Sequence, residues 1–271
     1  MAGDTRASTE TLAAWLAESF QAAGGRVTWA GVLPTPAVSR LLRHHAFSIG
    51  VVISASHNPA RDNGIKVIAP SGEKVADELE RRLEARLRQV APASGPALPP
   101  PALDLAERYR ELVVATHDRR RPLEGLSLVV DAANGAASEV AGPLLEELGA
   151  AVELISGEPD GHNINRGCGA TCPEPLAAAV RASGADGGLA LDGDADRVVL
   201  VDETGRALDG DDILLAWARD LDARDALPGR RVVATVMSNF GLEKALAEEG
   251  LELMRCPVGD RSVWEAMQRT G

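Results

Sequence analysis

Aromatic side chains are scarce in this chain, at 3% of its 271 residues. Proteins that bind single-stranded nucleic acid stack bases on aromatic rings, so this shortage argues against such a platform. Positive charge is also in deficit, because 28 Lys and Arg stand against 40 Asp and Glu, for a formal net charge of -12. We therefore expect neither nucleic acid nor an anionic membrane as a partner. An anionic substrate would need locally concentrated positive charge or a bound cation.

Cysteine is equally sparse, with Cys168, Cys172 and Cys256 alone. The Cys-x₃-Cys spacing has no second pair, which favours reduced thiols over a metal site or a disulfide. No apolar run approaches the ~20 residues of a membrane span. The first residues, MAGDTRASTETLAAW, lack the apolar core and cleavage site of a secretory signal. These observations predict a cytoplasmic protein.

The remaining composition, 45% hydrophobic and 25% charged, is that of a globular protein. At roughly 150 residues per domain, the length suggests about two domains. Buried-strand and amphipathic-helix patterns alternate along the chain, which predicts α/β layers with mostly parallel sheets. Predicted helices cover residues 9–24, 37–46, 73–90, 105–113, 139–150, 172–185, 210–223, 241–250 and 261–271. Predicted strands cover 26–33, 49–54, 63–69, 126–134, 151–156, 187–192, 231–239 and 251–258, with a hairpin over 197–208.

Two segments resemble connections between domains. VAPASGPALPPPALD, residues 90–104, is rich in Pro and Ala and suits neither helix nor sheet. PGRR, residues 228–231, indicates a second boundary. We therefore divide the chain into residues 1–95, 96–226 and 227–271, each with the same strand–helix theme.

The strongest chemical pattern is LALDGDADRVVLVD, in which Asp192, Asp194 and Asp196 follow a predicted buried strand. Carboxylates this close repel one another unless a cation lies between them, and oxygen ligands favour Mg²⁺, Mn²⁺ or Ca²⁺. A solvated acidic turn is one alternative. An EF-hand loop with Glu203 at its twelfth position is another, but Arg197 occupies the position that requires Gly, and both flanks are strand-like. Arg197 is well placed to hold a phosphate beside the metal.

A second pattern is VVISASHNPARDNGIK, where a buried strand runs into a polar loop. Sites in open α/β sheets form beyond the carboxyl ends of strands, so Ser56 is a candidate nucleophile or phosphate carrier. A serine protease is a weak alternative, because Ser56 and His57 are adjacent and no Gly-x-Ser-x-Gly elbow is present. An Asn- and Asp-rich turn is the other alternative. With the loops VVDAANGAAS, GHNINRGCGAT, TVMSNFGL and CPVGDR, the residues alone suggest phosphate chemistry.

The motifs ISASHNP, DNGIK, DGDADR, VMSN-x-GL and VGDR resemble the α-D-phosphohexomutase superfamily, in order over almost the whole chain. The Ser-Ala-Ser-His-Asn-Pro form, NIN-x-x-CGAT and VMSN are similar more narrowly to its phosphoglucosamine mutases. The resemblance implies four domains, three of them related α/β units, around a central cleft. It also implies the conversion of glucosamine 6-phosphate to glucosamine 1-phosphate through a bisphosphate.

The resemblance assigns roles residue by residue. Ser56 would carry the transferable phosphoryl group as a phosphoserine, with Lys66 as general acid/base and His57 beside it in the catalytic group. One Mg²⁺ per chain would be held by Asp192, Asp194, Asp196 and the phosphate on Ser56. A lysine in a closed site can have a lowered pKa, which would suit a proton shuttle. Phosphate or substrate contacts would come from Arg6 (with Asp4 near it), Asn58, Arg197, Asp260 and Arg261.

The pattern departs from the superfamily at both ends. The opening Gly-Thr-Asp-Gly-type stretch, the sugar-binding loop and the fourth domain have no counterpart in these residues. We therefore expect a first domain without its first strand, a partial third domain, metal binding that survives, and weak or no mutase turnover by this polypeptide alone. Phosphomannomutase or phosphoglucomutase activity, a non-catalytic sugar-phosphate-binding fragment, and a phosphatase remain as alternatives.

Overall fold

The computed structural model describes residues 1–87, 103–117 and 121–270 of the chain. They form two compact units, one of residues Met1–Ala207 and one that begins at Leu208. The predicted connection over 90–104 lies outside the described residues except for its last two positions. Within the described residues, no helix is both long enough and apolar enough to span a membrane.

The first unit begins with a three-stranded sheet and its helices. These elements are β1 (Ala2–Gly3), α1 (Thr9–Ala22), α2 (Thr35–His44), β2 (Gly50–Ile53), β3 (Ile65–Ile68) and α3 (Asp77–Leu87). The strand order is β1-β2-β3, with β2 parallel to β1 and antiparallel to β3. In this register Lys66 lies opposite Val52. The side chain of Lys66 therefore lies near the carboxyl end of β2, where the serine loop begins.

A larger sheet follows, and all of it except Leu208 lies in the same unit. Its elements are α4 (Ala106–Val114), β4 (Ser127–Asp131), α5 (Ala141–Glu147), β5 (Ala151–Ile155), α6 (Glu174–Ser183), β6 (Gly187–Leu191), β7 (Val198–Asp202) and β8 (Ala207–Leu208). The strand order is β5-β4-β6-β7-β8. Strands β5, β4 and β6 are parallel, so their carboxyl ends share one edge of the sheet. Strand β7 is antiparallel to β6 and returns from that edge.

Apolar burial explains why these helices lie on their sheets. Leu41 and Leu42 of α2 are buried in one core cluster with Val52 of β2, and Leu112 of α4 joins the same cluster. The helix α4 therefore packs against residues before the predicted boundary at 95/96. In the larger sheet, Leu176 of α6 is fully buried against Val129 and neighbouring strand residues.

The second unit contains α7 (Gly210–Ala223), a 3₁₀ turn (Pro228–Arg230), β9 (Arg231–Thr235), α8 (Phe240–Glu248), β10 (Glu252–Cys256) and α9 (Asp260–Thr270). Strands β9 and β10 are parallel. Ala218 of α7 is buried with Leu242 and Leu246 of α8, so α7 belongs to this core. The unit thus begins before the boundary that we place at 226/227, and the three-domain division itself stays a prediction.

The α/β class with mostly parallel sheets is confirmed, but two local expectations were wrong. Residues 26–33 form no continuous strand, although an isolated bridge joins Val32 to Gly3 and the N–H groups of Ala30 and Leu33 donate to the carbonyls of Met1 and Gly3. Gly31 has a positive φ of 76°, which interrupts a regular strand there. The helix expected over 73–90 begins only at Asp77, because the N–H of Val75 donates to the carbonyl of Val67 and extends the sheet.

Removing the buried Leu176 side chain should weaken the larger sheet. We expect Leu176→Ala to lower the free energy of unfolding of the first unit by about 2–5 kcal/mol, from lost apolar burial and the cavity that remains. Urea titration, monitored by hydrogen exchange of the backbone amides in β4 and β6, measures this free energy. The matched control is Leu79→Ala on α3, whose side chain is exposed. Equal losses for both variants would contradict the assignment of Leu176 to the core.

Candidate functional site

The serine loop leaves the carboxyl end of β2 in a tight turn. The N–H of Ser56 donates to Ser54 Oγ at 2.9 Å, and the N–H of Asn58 donates to the carbonyl of Ala55 at 3.1 Å. Ser56 has a left-handed backbone with φ of 52°. Such a conformation costs a non-glycine residue on the order of 1 kcal/mol, so surrounding contacts have to maintain it.

Arg6 provides part of that support. It is 3% exposed and forms an ion pair with buried Asp4. Its Nη2 donates to the carbonyl of Asn58 at 2.6 Å and to the carbonyl of Ser56 at 3.3 Å. The guanidinium of Arg6 therefore donates to the backbone of the serine loop and to the carboxylate of Asp4. The phosphate contact expected of Arg6 stays a prediction.

The acidic loop follows β6. Asp192 and Asp194 are 0% exposed, whereas Asp196 lies at the surface. One carboxylate oxygen from each lies within 4.8 Å of the others. The backbone N–H groups of Asp196 and Arg197 donate to Asp192 Oδ1 at 3.1 and 3.2 Å, which closes the turn. The three carboxylates thus converge as the spacing predicted.

The two loops meet at their side chains. Ser56 Oγ donates to Asp192 Oδ2 at 2.6 Å. Lys66 Nζ donates to Asp194 Oδ2 at 2.5 Å and to Asp196 Oδ2 at 3.0 Å. A Cβ at Gly193 would lie 2.6 Å from the carbonyl oxygen of Ser56, so only glycine lets the backbones approach this closely.

The donor set fits a hard divalent cation. Asp194 Oδ1 is buried and has no hydrogen-bond partner among the described residues. A buried carboxylate oxygen without a partner is costly, and a metal ion supplies the missing positive charge. Burial raises the pKa of Asp192, and the neighbouring charges of Asp194 and Asp196 raise it further. An all-oxygen set of three carboxylates is what Mg²⁺, Mn²⁺ or Ca²⁺ prefers.

The lysine in the site behaves differently from expectation. Burial alone would lower the pKa of Lys66, but hydrogen bonds and charges from Asp194 and Asp196 outweigh it and raise the pKa. The lowered pKa expected for this lysine is therefore wrong for the arrangement in the structure. For Asp194 the effects have the opposite sign. Burial alone would raise its pKa, but hydrogen bonds from Lys66 and Thr35 hold the pKa below its usual value.

The other predicted residues lie around this centre or in the second unit. His57 is half-buried, and its Nδ1 is enclosed without a hydrogen-bond partner in the described part of the chain. Asn58 and Arg197 are exposed, with Arg197 Nε 3.9 Å from Asp196 Oδ1. Asp260 and Arg261 begin α9 in the second unit. Their catalytic and phosphate-binding roles stay predictions.

Two contributors were missed by sequence reasoning. Thr35 begins α2, where its hydroxyl donates to Asp194 Oδ2 and its N–H donates to the carbonyl of Asp194 at 2.9 Å. Asn165 donates through Nδ2 to the carbonyls of Ser56 and Asn58. In the sequence, Thr35 lies between Pro34 and Pro36, which interrupt regular structure, and Asn165 lies in the NIN-x-x-CGAT motif without an assigned role. Both act on residues more than a hundred positions away, which spacing does not reveal.

An α/β protein with a metal-type carboxylate cluster beside a strained serine, at the carboxyl ends of its strands, is the class that this fold and site define. Residues 1–93, 107–205 and 209–271 match the alpha/beta/alpha domains I, II and III, respectively, described for phosphoglucomutase/phosphomannomutase. The chain belongs to the phosphoglucomutase/phosphomannomutase family.

Individual relatives agree with this assignment. The chain is 48% identical to a phosphoglucosamine mutase of Granulibacter bethesdensis over 99% of its own length and 60% of the relative. It is 50% identical to that of Chromohalobacter salexigens, with the same 99% and 60% coverage. A phosphoglucomutase/phosphomannomutase family protein from Burkholderia thailandensis superposes with a TM-score of 0.81 at 28% identity, over 100% of this chain and 60% of that one. The chain thus spans about 60% of the length of these curated relatives.

The carboxylate cluster should bind a divalent cation. We expect Asp194→Asn to weaken Mg²⁺ or Mn²⁺ affinity at least about 10-fold, since it removes a charged ligand. Calorimetric titration of the folded chain measures this. Glu203→Gln is the control, because Glu203 is an exposed acid nearby that an EF-hand loop would require. A loss of affinity with Glu203→Gln and none with Asp194→Asn would contradict the assignment.

Thr35 should support metal binding indirectly. Removing its hydroxyl in Thr35→Val frees Asp194 Oδ2 from one of its donors, so we expect a roughly 10-fold loss of Mn²⁺ affinity. Thr35→Ser retains the hydroxyl and should restore affinity to near wild type. Equal affinities for the valine and serine variants, measured by the same titration, would show that the hydroxyl does not orient the carboxylate.

Proposed function

We propose that this chain carries the phosphoserine and metal-binding part of a phosphoglucosamine mutase, which interconverts glucosamine 6-phosphate and glucosamine 1-phosphate. The observation that carries the proposal is the Ser56 hydroxyl hydrogen-bonded to Asp192 within a three-carboxylate cluster. Identities near 48% to phosphoglucosamine mutases support the particular reaction. Because the chain spans about 60% of those relatives, the activity of the whole protein is part of the proposal.

In the proposed reaction, phosphorylated Ser56 faces a hydroxyl of the sugar phosphate. The hydroxyl oxygen forms a bond to phosphorus while the bond from phosphorus to Ser56 Oγ breaks, which gives a bisphosphorylated sugar. Return transfer from the other position of the bisphosphate regenerates phosphoserine and releases the isomeric monophosphate. Such transfers depend on positioning and charge neutralisation more than on covalent chemistry.

Lys66 is the residue that we assign to proton transfer. Its Nζ donates to Asp194 and Asp196, and the third carboxylate of the cluster, Asp192, accepts from the serine hydroxyl. In neutral form it accepts the proton of the attacking sugar hydroxyl, and as an ammonium it returns a proton to the leaving oxygen. Asp194 and Asp196 raise its pKa, so the ammonium form dominates. A divalent cation held by the same carboxylates would offset that effect and favour the neutral amine.

We assign the cluster of Asp192, Asp194 and Asp196 to one Mg²⁺, with the phosphate on Ser56 completing the ligands. A bound Mg²⁺ would stabilise negative charge on the transferring phosphoryl group. A distant structural relative, an Aspergillus fumigatus N-acetylphosphoglucosamine mutase, was solved with GlcNAc-6P and magnesium. That protein is 20% identical with a TM-score of 0.58, over 96% of this chain and 68% of its own, so it supports the fold and not the ligand set.

Hexosamine phosphate and its bisphosphate are the partners that we propose, and the cytoplasm is the compartment. Glucose and mannose phosphates are the competing substrates, because the family is named for phosphoglucomutase and phosphomannomutase. Because weak or no turnover is expected of this polypeptide alone, the test uses a version of the protein extended to the length of its relatives. Incubation with each of the three hexose 6-phosphates and a catalytic amount of hexose 1,6-bisphosphate would rank them by the rate at which 1-phosphate appears.

The phosphoryl carrier can be tested directly. We expect ³²P-labelled hexose 1,6-bisphosphate to label the chain on Ser56, and Ser56→Ala to abolish the label because the accepting oxygen is lost. Acid-stable radioactivity and mass spectrometry of the loop peptide measure this. Ser48→Ala is the control, because Ser48 is exposed and outside the loop. A Ser56→Ala chain that labels at the wild-type level would overturn the proposal.

A further inference from the structure

Two neighbouring carbonyls of the serine loop receive donors from two sides. Arg6, in the segment between β1 and α1, donates to both, with Nη2 at 3.3 Å from Ser56 O and 2.6 Å from Asn58 O. Asn165 reaches the same two oxygens from the larger sheet, with Nδ2 at 2.9 and 3.1 Å, respectively. The carbonyls that fix the turn around Ser56 are thus clamped between two side chains.

Asn165 is itself firmly placed. Its N–H donates to the carbonyl of Ala133 at 2.9 Å. The N–H of Ala133 donates in turn to Asp131 Oδ1 at 2.9 Å, and Asp131, at the end of β4, is fully buried. Asn165 has a φ of 57°, a left-handed conformation that asparagine and aspartate adopt more readily than most residues. The amide is therefore anchored to the rigid edge of the larger sheet.

The amide also occupies a narrow space between the serine loop and the acidic loop. A Cβ added at Gly193 would lie 2.8 Å from Asn165 Nδ2 and 2.6 Å from Ser56 O. The carbonyl of Gly193 accepts from the N–H of Ala136 at 2.8 Å, so the acidic loop cannot recede easily. A donor at this position holds the serine backbone at a fixed distance from the carboxylates.

We propose that Asn165 is a positioning residue that maintains the left-handed backbone of Ser56 and so directs its Oγ at Asp192. The importance of this for phosphoryl transfer rests on the proposed function, whereas the clamp itself does not. The amide is required because both of its targets are acceptors. A carboxylate of the same size would bring an oxygen to about 3 Å from two carbonyl oxygens and repel them.

Asn165→Asp isolates this effect, since it preserves size and tolerance of the left-handed backbone while replacing a donor with an acceptor. Hydrogen–deuterium exchange on the full chain is the primary measurement. We expect the amides of Ser56 and Asn58 to exchange at least 10-fold faster in Asn165→Asp than in wild type. Exchange in β4 and β6 should remain unchanged, which distinguishes local positioning from general destabilisation.

The matched control is Asn163→Asp on the same loop. Within the described residues, the side chain of Asn163 bonds only locally, accepting from the N–H of Asp160 and donating to the carbonyl of Glu158. It should leave exchange of the serine loop at the wild-type rate. If the added charge in Asn165→Asp unfolds the chain, Asn165→Gly removes the amide without adding charge and keeps the backbone conformation accessible. It should show the same 10-fold local effect.

Labelling of Ser56 by ³²P-hexose 1,6-bisphosphate provides the functional measurement, and we expect its rate to fall at least 10-fold in Asn165→Asp. Wild-type exchange of the Ser56 and Asn58 amides in both the aspartate and the glycine variants would overturn the positioning proposal, whatever the labelling result. Faster exchange together with a wild-type chain that accepts no label would support the clamp and reject the proposed function. The two proposals can therefore fail separately.

Discussion

Two fully buried carboxylates, Asp192 and Asp194, lie side by side at the carboxyl end of β6, and their surroundings have to compensate their charge. Two like charges about 5 Å apart repel by roughly 3 kcal/mol at an effective dielectric constant of about 20. The chain supplies donors from three separate elements. Ser56 donates to Asp192, and Lys66 and Thr35 donate to Asp194. One oxygen, Asp194 Oδ1, is left without a described partner and provides a place for a cation.

This constraint links the two sheets of the first unit. The serine loop, Lys66 and Thr35 come from the first sheet and its helices, whereas the acidic loop and Asn165 come from the larger one. The serine loop follows the carboxyl end of β2 and the acidic loop follows that of β6, so the carboxyl ends of strands from two different sheets meet at the site. Small residues make the meeting possible, with Gly193 allowing backbone contact with Ser56. Different side chains therefore compensate the carboxylate charge and support the serine backbone, and both sets converge on the same two loops.

Much of this arrangement followed from local patterns. The buried runs before Ser56 and Asp192 predicted β2 and β6, and the alternating carboxylates predicted a convergent acidic cluster. The failures have physical causes that local patterns omit. The apolar stretch over 26–33 is interrupted by the left-handed backbone at Gly31. Hydrogen bonds and charges from Asp194 and Asp196 outweigh burial and raise the pKa of Lys66, when a lowered one was expected. Thr35 and Asn165 act across long sequence separations, so nothing adjacent to them indicated their partners.

The central claim is that a phosphoryl group on Ser56 and a divalent cation on Asp192, Asp194 and Asp196 share one site. The most direct test is the ³¹P resonance of phosphorylated chain during titration with Mn²⁺, whose paramagnetism broadens nuclei within a few ångströms. The account predicts that substoichiometric Mn²⁺ broadens the phosphoserine resonance beyond detection, and that excess Mg²⁺ restores it by competition. A phosphoserine resonance that stays sharp while Mn²⁺ binds to the chain would place the cation elsewhere and contradict the account.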